Sequence, residues 1–314
     1  MTGYDVIGDV HGRADKLVGL LRRLGYRERD GAWRHADRQA VFVGDLIDRG
    51  PQQRDSVRIA RSMVDAGTAQ IVLGNHEFNA LAYATWSDER SDFCRPRVGA
   101  RGEKHHRQHK AFIREIGLDN PESVDVLDWF RTIPLWLDLG GLRVVHACWN
   151  NNQIEHLAAL VSSTGGVTKQ IIIDGTDPGH PTYDAIETIL KGPEVSLDGR
   201  IYLDKGGDER QHARRRWWDP DATTLRSAAM IPSDTKGIDG QTFPPLSDDP
   251  LSDGFRSYAD VVPVIVGHYW ETGERRVYGT KVACVDYSAG KGGPLVAYRW
   301  DGEPNLLNDH FVSF

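Results

Sequence analysis

Three short apolar runs in the first quarter of the chain stop at the same punctuation, a glycine followed by a side chain able to bind a metal. Tyr4 to Ile7 stops at Gly8-Asp9, Ala40 to Val43 at Gly44-Asp45, and Gln70 to Leu73 at Gly74-Asn75. Between the runs, Leu17, Val18, Leu20, Leu21 and Leu24, and then Val57, Ile59, Ala60, Met63 and Val64, recur at helical spacing, which predicts helices over Ala14 to Leu24 and Asp55 to Ala66. Strand and helix in alternation predict an α/β fold. Sites in such folds gather at the carboxyl ends of strands, where this punctuation falls.

Further strands are expected at Leu135 to Leu139, Leu142 to His146, Val261 to Val266, Lys281 to Val285 and Leu295 to Trp300, with a helix over Glu122 to Arg131. Trp86 to His109 is polar and basic and reads as a surface excursion, partly helical from His105 on. Thr176 to Asp260 reads as irregular, with Pro232 to Gly254 as a long loop or lid. At 314 residues the chain suits one domain over 1–314, with insertions at about 86–120 and 176–260 shaping a substrate entrance.

A formal charge of −7 argues against a duplex nucleic-acid partner, which calls for a broad basic face, and leaves room for a local basic pocket. The cysteines, Cys94, Cys148 and Cys284, form no CxxC pair, so a reducing compartment is the simpler expectation. The opening MTGYDVIGDVHG lacks a signal-peptide pattern. No apolar run approaches the roughly 20 residues that span a bilayer. The expectation is a cytoplasmic protein with no membrane partner.

Five segments carry the chemistry: Gly8-Asp9-Val10-His11-Gly12, Gly44-Asp45-Leu46-Ile47-Asp48-Arg49-Gly50, Gly74-Asn75-His76-Glu77, Val145-His146-Ala147 and Gly267-His268. They offer a mixed oxygen and nitrogen donor set. Such a set suits Mn²⁺, Fe or Zn²⁺ and is too rich in nitrogen for a Ca²⁺ or Mg²⁺ cage. Two such ions about 3.5–4 Å apart activate water and clamp a phosphoryl group.

In this order the motifs resemble the calcineurin-like metallophosphoesterases, and among them the phosphoprotein-phosphatase branch that includes Ser/Thr phosphatases and diadenosine tetraphosphatases. The resemblance implies a sandwich of two mixed β-sheets flanked by helices, with two divalent metals (manganese first, iron or zinc next) at the strand ends. It implies that Asp9 and His11 hold one metal, that Asp45 bridges both, and that Asn75, His146 and His268 complete the second. His76 is then the general acid, held by Asp48, and Arg49 grips the phosphate. The resemblance also implies hydrolysis by direct attack of a metal-bound hydroxide. Glu77 is expected to support its turn.

Two departures matter. Many relatives end in GHxH, whereas here the segment is Gly267-His268-Tyr269-Trp270, a loss shared by the phosphoprotein-phosphatase branch. No clean match exists for that branch's second phosphate-binding arginine. Arg214, Arg215 and Arg216 stand before Trp218-Asp219-Pro220 and are candidates for substrate binding, with a solvated helix face as the alternative. Trp217 and Trp218 either stack on a base or pack inside an insertion. Lys104 to His109 could hold a metal by composition but fits a zinc motif poorly and reads instead as a solvated loop able to overhang the site, Asp204 to Asp208 as a rim, and Cys148 as a buried filler.

The expected function is a metal-dependent phosphatase of the Ser/Thr type acting on a phosphoprotein or small phosphomonoester. The alternative is a diadenosine polyphosphate or other nucleotide hydrolase. A third reading, an inactive binding module, is opposed by the intact Asp45, His76, Asp48 and Arg49.

Overall fold

The computed structural model describes residues 3–204, 207–232, 234–251 and 254–314. The chain divides into two compact units, one made of residues 1–191 and 262–314, the other of 192–261.

The first unit is built on two five-stranded sheets. Strands β1 (Gly3–Ile7), β2 (Arg38–Phe42) and β3 (Ala69–Ile71) lie parallel in one sheet. The other contains β4 (Trp136–Asp138), β5 (Arg143–Val145), β6 (Val264–Val266), β7 (Val277–Tyr278) and β8 (Val282–Cys284), with β5, β6 and β8 parallel and β4 and β7 antiparallel at the edges. Antiparallel β9 (Val296–Trp300) and β10 (Phe311–Ser313) complete the first sheet beside β1. Both sheets are therefore mixed, as the resemblance implies.

Alternation along the strands explains the layering. Val6 and Val41, paired in register, share one buried core with Val144, Ile265 and Ala283 of the facing sheet. Ile7, Phe42 and Ile71 point the opposite way and are also buried, so the outer face of the first sheet is covered too. Helix α1 (Ala14–Leu24) packs on β10 and α2 (Gln53–Asp65) on β3, and the two helices touch. The sandwich is flanked by α3 (Asn75–Ala84), α4 (Gly99–Glu115), α5 (Pro121–Thr132), α6 (Asn151–Ala158), α7 (Lys169–Asp174) and α8 (Pro181–Lys191). No helix among the described residues is long and apolar enough to cross a membrane.

Two expectations need correction. Lys104 to His109 is not a loop: it lies within α4, which starts at Gly99 and buries His109 and Phe112. The helix escapes a reading by apolar period because a histidine fills one of its few inward positions. The stretch after Thr176 is not irregular throughout, because α8 buries Thr182, Ala185, Ile186, Ile189 and Leu190 at helical spacing.

The second unit holds two small three-stranded sheets and its own core of Val195, Leu197, Ala213, Leu225, Ala229 and Leu246. Lys205 and Gly206 of the expected rim, and Ser233, Ser252 and Asp253 of the expected lid, lie outside the described residues.

Candidate metal centre

Each motif follows a parallel strand, so parallel strands of both sheets deliver their next residues to a common end. Asp9 and His11 follow β1, Asp45, Asp48 and Arg49 follow β2, and Asn75 and His76 open α3 just after β3. His146 and His268 follow β5 and β6. The backbone is bent hard to do this. His11, Asp45, Asp48, Arg49 and His268 all have positive φ, between 48° and 70°, a region costly for residues with a Cβ. Two glycines make the approach possible. A Cβ on Gly74 would meet the backbone and carboxylate of Asp45, and one on Gly267 would overlap the carboxylate of Asp9.

Asp45 is the hub and is buried. Its Oδ1 accepts the backbone N–H of His76 at 2.9 Å, in the first turn of α3. His146 Nε2 stands 3.6 Å from the same oxygen, and His11 Nε2 stands 3.6 Å from Oδ2. Ligand-type atoms of His11, Asp45 and His76, and separately of Asp9, Asp45 and His146, lie within 4.8 Å of one another. Asn75 Oδ1 faces His146 Nε2 at 3.0 Å and His268 Nδ1 at 2.8 Å. Thus Asp9, His11, Asp45, Asn75, His146 and His268, named from the sequence, are brought together.

The arrangement fits a pair of divalent cations. His11 Nδ1 faces the Ile47 carbonyl at 2.8 Å and His146 Nδ1 faces the Val43 carbonyl at 2.7 Å. A carbonyl only accepts, so each Nδ1 carries the proton, and in the neutral ring Nε2 offers a lone pair. Those lone pairs face oxygens that are also acceptors. His11 Nε2 is buried with no hydrogen-bond partner. Buried carboxylates crowd the same space. Burial, with the charges of Asp286 and Asp45, pushes the Asp9 carboxyl well above its ordinary range. Burial and the Arg49 charge hold His11 well below the usual histidine range. Neutral imidazoles beside mutually repelling carboxylates make a donor set suited to cations.

The residues that hold these donors are equally definite. Glu77 accepts the backbone N–H groups of Asp45 and Leu46, both at 2.8 Å, and of Gly74 at 3.2 Å, so it pins the turn that presents Asp45. Burial and the Asp45 charge push its carboxyl up to about 7, against the pull of those N–H groups. His76 Nδ1 lies 2.6 Å from Asp48 Oδ2. Burial opposes the charge on His76, yet Asp45 and Asp48 outweigh it and raise its pKa. Arg49 is exposed and makes no hydrogen bond or ion pair with another described residue, which leaves its guanidinium free for an anion.

Sequence reasoning missed two residues here. Asp286, just past β8, is buried and accepts the backbone N–H groups of Trp270 and Ser288, both at 2.9 Å. It fixes the turn after His268, where Trp270 has a φ of 41°. The signal was the same one used elsewhere, a strand-like run ending in an acid, but without a glycine before it. His109 of α4 places Nδ1 2.9 Å from Asp48 Oδ2.

The substrate-side candidates lie in the other unit. Arg214 and Arg215 sit on a strand, His212–Arg215, where the sequence had suggested a helix face. Arg214 pairs with Glu194 at 2.6 Å, Arg215 lies over the Phe255 ring at 4.1 Å, and Arg216 donates to the carbonyls of Ser227 and Ala229. Trp217 is buried, edge-on to Trp218 and Tyr258. Cys148 is buried.

A protein-family description, "calcineurin-like phosphoesterase", matches residues 4–269. A bis(5'-nucleosyl)-tetraphosphatase of the asymmetrical type from Halalkalibacterium halodurans is 47% identical over 74 residues, which are 23% of this chain and 30% of that protein. A symmetrical bis(5'-nucleosyl)-tetraphosphatase from Vibrio cholerae is 27% identical over 200 residues, 60% of this chain and 64% of that protein. The chain therefore matches less than two thirds of the length of either relative. Among solved structures, a protein serine/threonine phosphatase from Saccharomyces cerevisiae is 14% identical, with a TM-score of 0.47 over 100% of this chain and 79% of that one. The match over residues 4–269 spans most of the molecule, and the chain belongs to the calcineurin-like phosphoesterase family.

Proposed function

We propose that the chain is a dinuclear metal-dependent phosphohydrolase. The observation that carries this reading is the convergence of Asp9, His11, Asp45, Asn75, His146 and His268 on one buried point, with Asp45 central and the unpaired Arg49 beside it. Asp9 and His11 would hold one cation, Asn75, His146 and His268 the other, and Asp45 both, with manganese the first ion to try. Such ions supply Lewis acidity toward phosphoryl oxygens and make bound water acidic.

The chain's own residues do the rest. Arg49 orients a phosphoryl group through paired N–H donors. His76 has Nδ1 committed to Asp48, so its Nε2 is the atom that delivers a proton to the departing oxygen. Asp48, with its carboxyl held near 2, remains an anion and keeps that ring oriented. Burial works against this anion, but His109 and His76 overcome it.

For the substrate we place a nucleoside polyphosphate first. The support is that both sequence relatives described above carry that activity in their names. A Ser/Thr phosphatase substrate, the expectation from the motifs alone, is the second reading, since the same catalytic groups serve both. The test is product formation with Mn²⁺ on diadenosine tetraphosphate, a phosphothreonine peptide and a chromogenic aryl phosphate. A preference of tenfold or more in kcat/KM for the dinucleotide is the expected result, and preference for the peptide would reverse the order.

Arg49 gives a separate prediction. Arg49→Ala should lower kcat/KM by about 10–100-fold, as a lost charge-assisted contact of roughly 1.5–3 kcal/mol implies. The Mn²⁺-induced rise in melting temperature should remain, because Arg49 offers no lone pair to a metal. A variant with wild-type kcat/KM would remove Arg49 from the substrate site.

A further inference from the structure

We propose that His109 is a positioning residue for the reaction: it fixes the Asp48 carboxylate and, through it, the ring of His76. The inference rests on the proposed role of His76 as proton donor. It is carried by one juxtaposition, in which a single carboxylate oxygen, Asp48 Oδ2, meets His76 Nδ1 at 2.6 Å and His109 Nδ1 at 2.9 Å.

His109 comes from far along the chain, on the inward face of α4, and is only 1% exposed. Its ring also rests on Tyr83 of α3, with centroids 5.7 Å apart and planes at 42°. α3 is the helix that opens with Asn75 and His76. One imidazole therefore ties α4 to the acid-bearing helix and to the residue that orients the acid.

The geometry explains why a second donor matters. Asp48 stands on a left-handed backbone, φ 70°, and its other oxygen, Oδ1, is buried without a hydrogen-bond partner. With only His76 to hold it, the carboxylate is free to turn about χ2 and offer either oxygen, and the His76 ring would follow. A second donor on the same Oδ2 selects one orientation. It also supplies a second hydrogen bond to a buried anion, which a single partner would leave under-satisfied. The bland alternative is a buried helix histidine that contributes only to folding.

Two substitutions separate these readings. His109→Phe keeps a ring against Tyr83 but has no donor, whereas His109→Asn places an amide N–H about where Nδ1 was. Each would be assayed with Mn²⁺ on phenyl phosphate, whose leaving group needs a proton, and on 2,4-dinitrophenyl phosphate, whose leaving group does not. His109→Phe should lose about 10–100-fold in kcat on phenyl phosphate, part of the range of a general acid, and less than about threefold on the dinitrophenyl ester. His109→Asn should recover most of the loss, and the Mn²⁺-induced rise in melting temperature should persist in both. Should His109→Phe fail to fold, His109→Leu takes its place.

Equal losses on the two esters, or no recovery with asparagine, would assign His109 to folding alone and overturn the proposal. His76→Asn run in parallel distinguishes the failures. If it shows leaving-group dependence and the His109 variants do not, only the His109 role falls. If it shows none, the acid role of His76 falls and the His109 role with it.

Discussion

Asp45→Asn is expected to cost on the order of 10³-fold or more in kcat, because metal ions contribute several kcal/mol to phosphoryl transfer and each 1.36 kcal/mol is tenfold in rate. The argument is geometric. Asp45 Oδ1 and Oδ2 face different partners, His146 Nε2 on one side and His11 Nε2 on the other, each at 3.6 Å. An ionised carboxylate presents acceptor lone pairs in both directions. Asparagine presents one acceptor and one N–H₂ group, so on one side a donor would face the cation to which the carboxylate offers a lone pair. The surroundings of Asp45 supply the second half of the argument. Burial works to raise its pKa, yet His76, whose own pKa is raised beside it, and the His76 backbone N–H pull it down, so the group is an anion. A readout independent of turnover is the thermal stabilisation by Mn²⁺. At a hundred times Kd a bound ion adds about 2.7 kcal/mol, which for a chain of this size is on the order of 5 °C. Asp45→Asn should lose that shift. A variant that keeps either near wild-type turnover or a wild-type Mn²⁺ shift would sink the bridging assignment.

The donors were legible in the sequence because the physics that makes them donors also makes them visible. Short side chains can converge only if the chain turns sharply off each strand, and sharp turns demand glycine. Gly8, Gly44, Gly74 and Gly267 each stand one residue before Asp9, Asp45, Asn75 and His268. The central strands were legible as short apolar runs, whereas their division into two mixed sheets was implied only by the resemblance. What stayed hidden is the layer that holds the donors in place. His109 lies on a helix whose outward residues are mostly charged, and nothing local says that its ring meets Asp48. Asp286 follows a strand without a marking glycine, and its work is to accept backbone N–H groups, which leaves no periodic trace. The acceptor role of Glu77 could be anticipated as support for its turn, but its partners on the Asp45 loop are adjacent only in space. Local geometry is written in composition, whereas contacts such as His109 to Asp48 are written in the tertiary fold.

The Asp48 carboxylate behind the proton donor decides how the site should behave when that donor is removed. His76→Asn is expected to bind Mn²⁺ like the wild type and to lose about 10²–10⁴-fold in kcat, the usual scale of a general acid. Asparagine can hydrogen-bond to Asp48 as Nδ1 does, so the turn and the backbone N–H to Asp45 Oδ1 survive, while the proton at Nε2 has no replacement. The loss should therefore depend on the substrate, large where the leaving oxygen is basic and small where it departs readily as an anion. The pH profile carries the sign of the effect. The ionised neighbours Asp45 and Asp48 raise the His76 pKa against burial, so the protonated acid persists upward in pH before it is lost. Wild-type kcat should fall as the acid form disappears with rising pH, and the variant should lack that basic limb. A loss greater for good leaving groups than for poor ones would exclude proton donation. It would move His76 among the groups that bind the phosphoryl oxygens, beside Asp45, whose Oδ2 stands 3.8 Å from its Nε2.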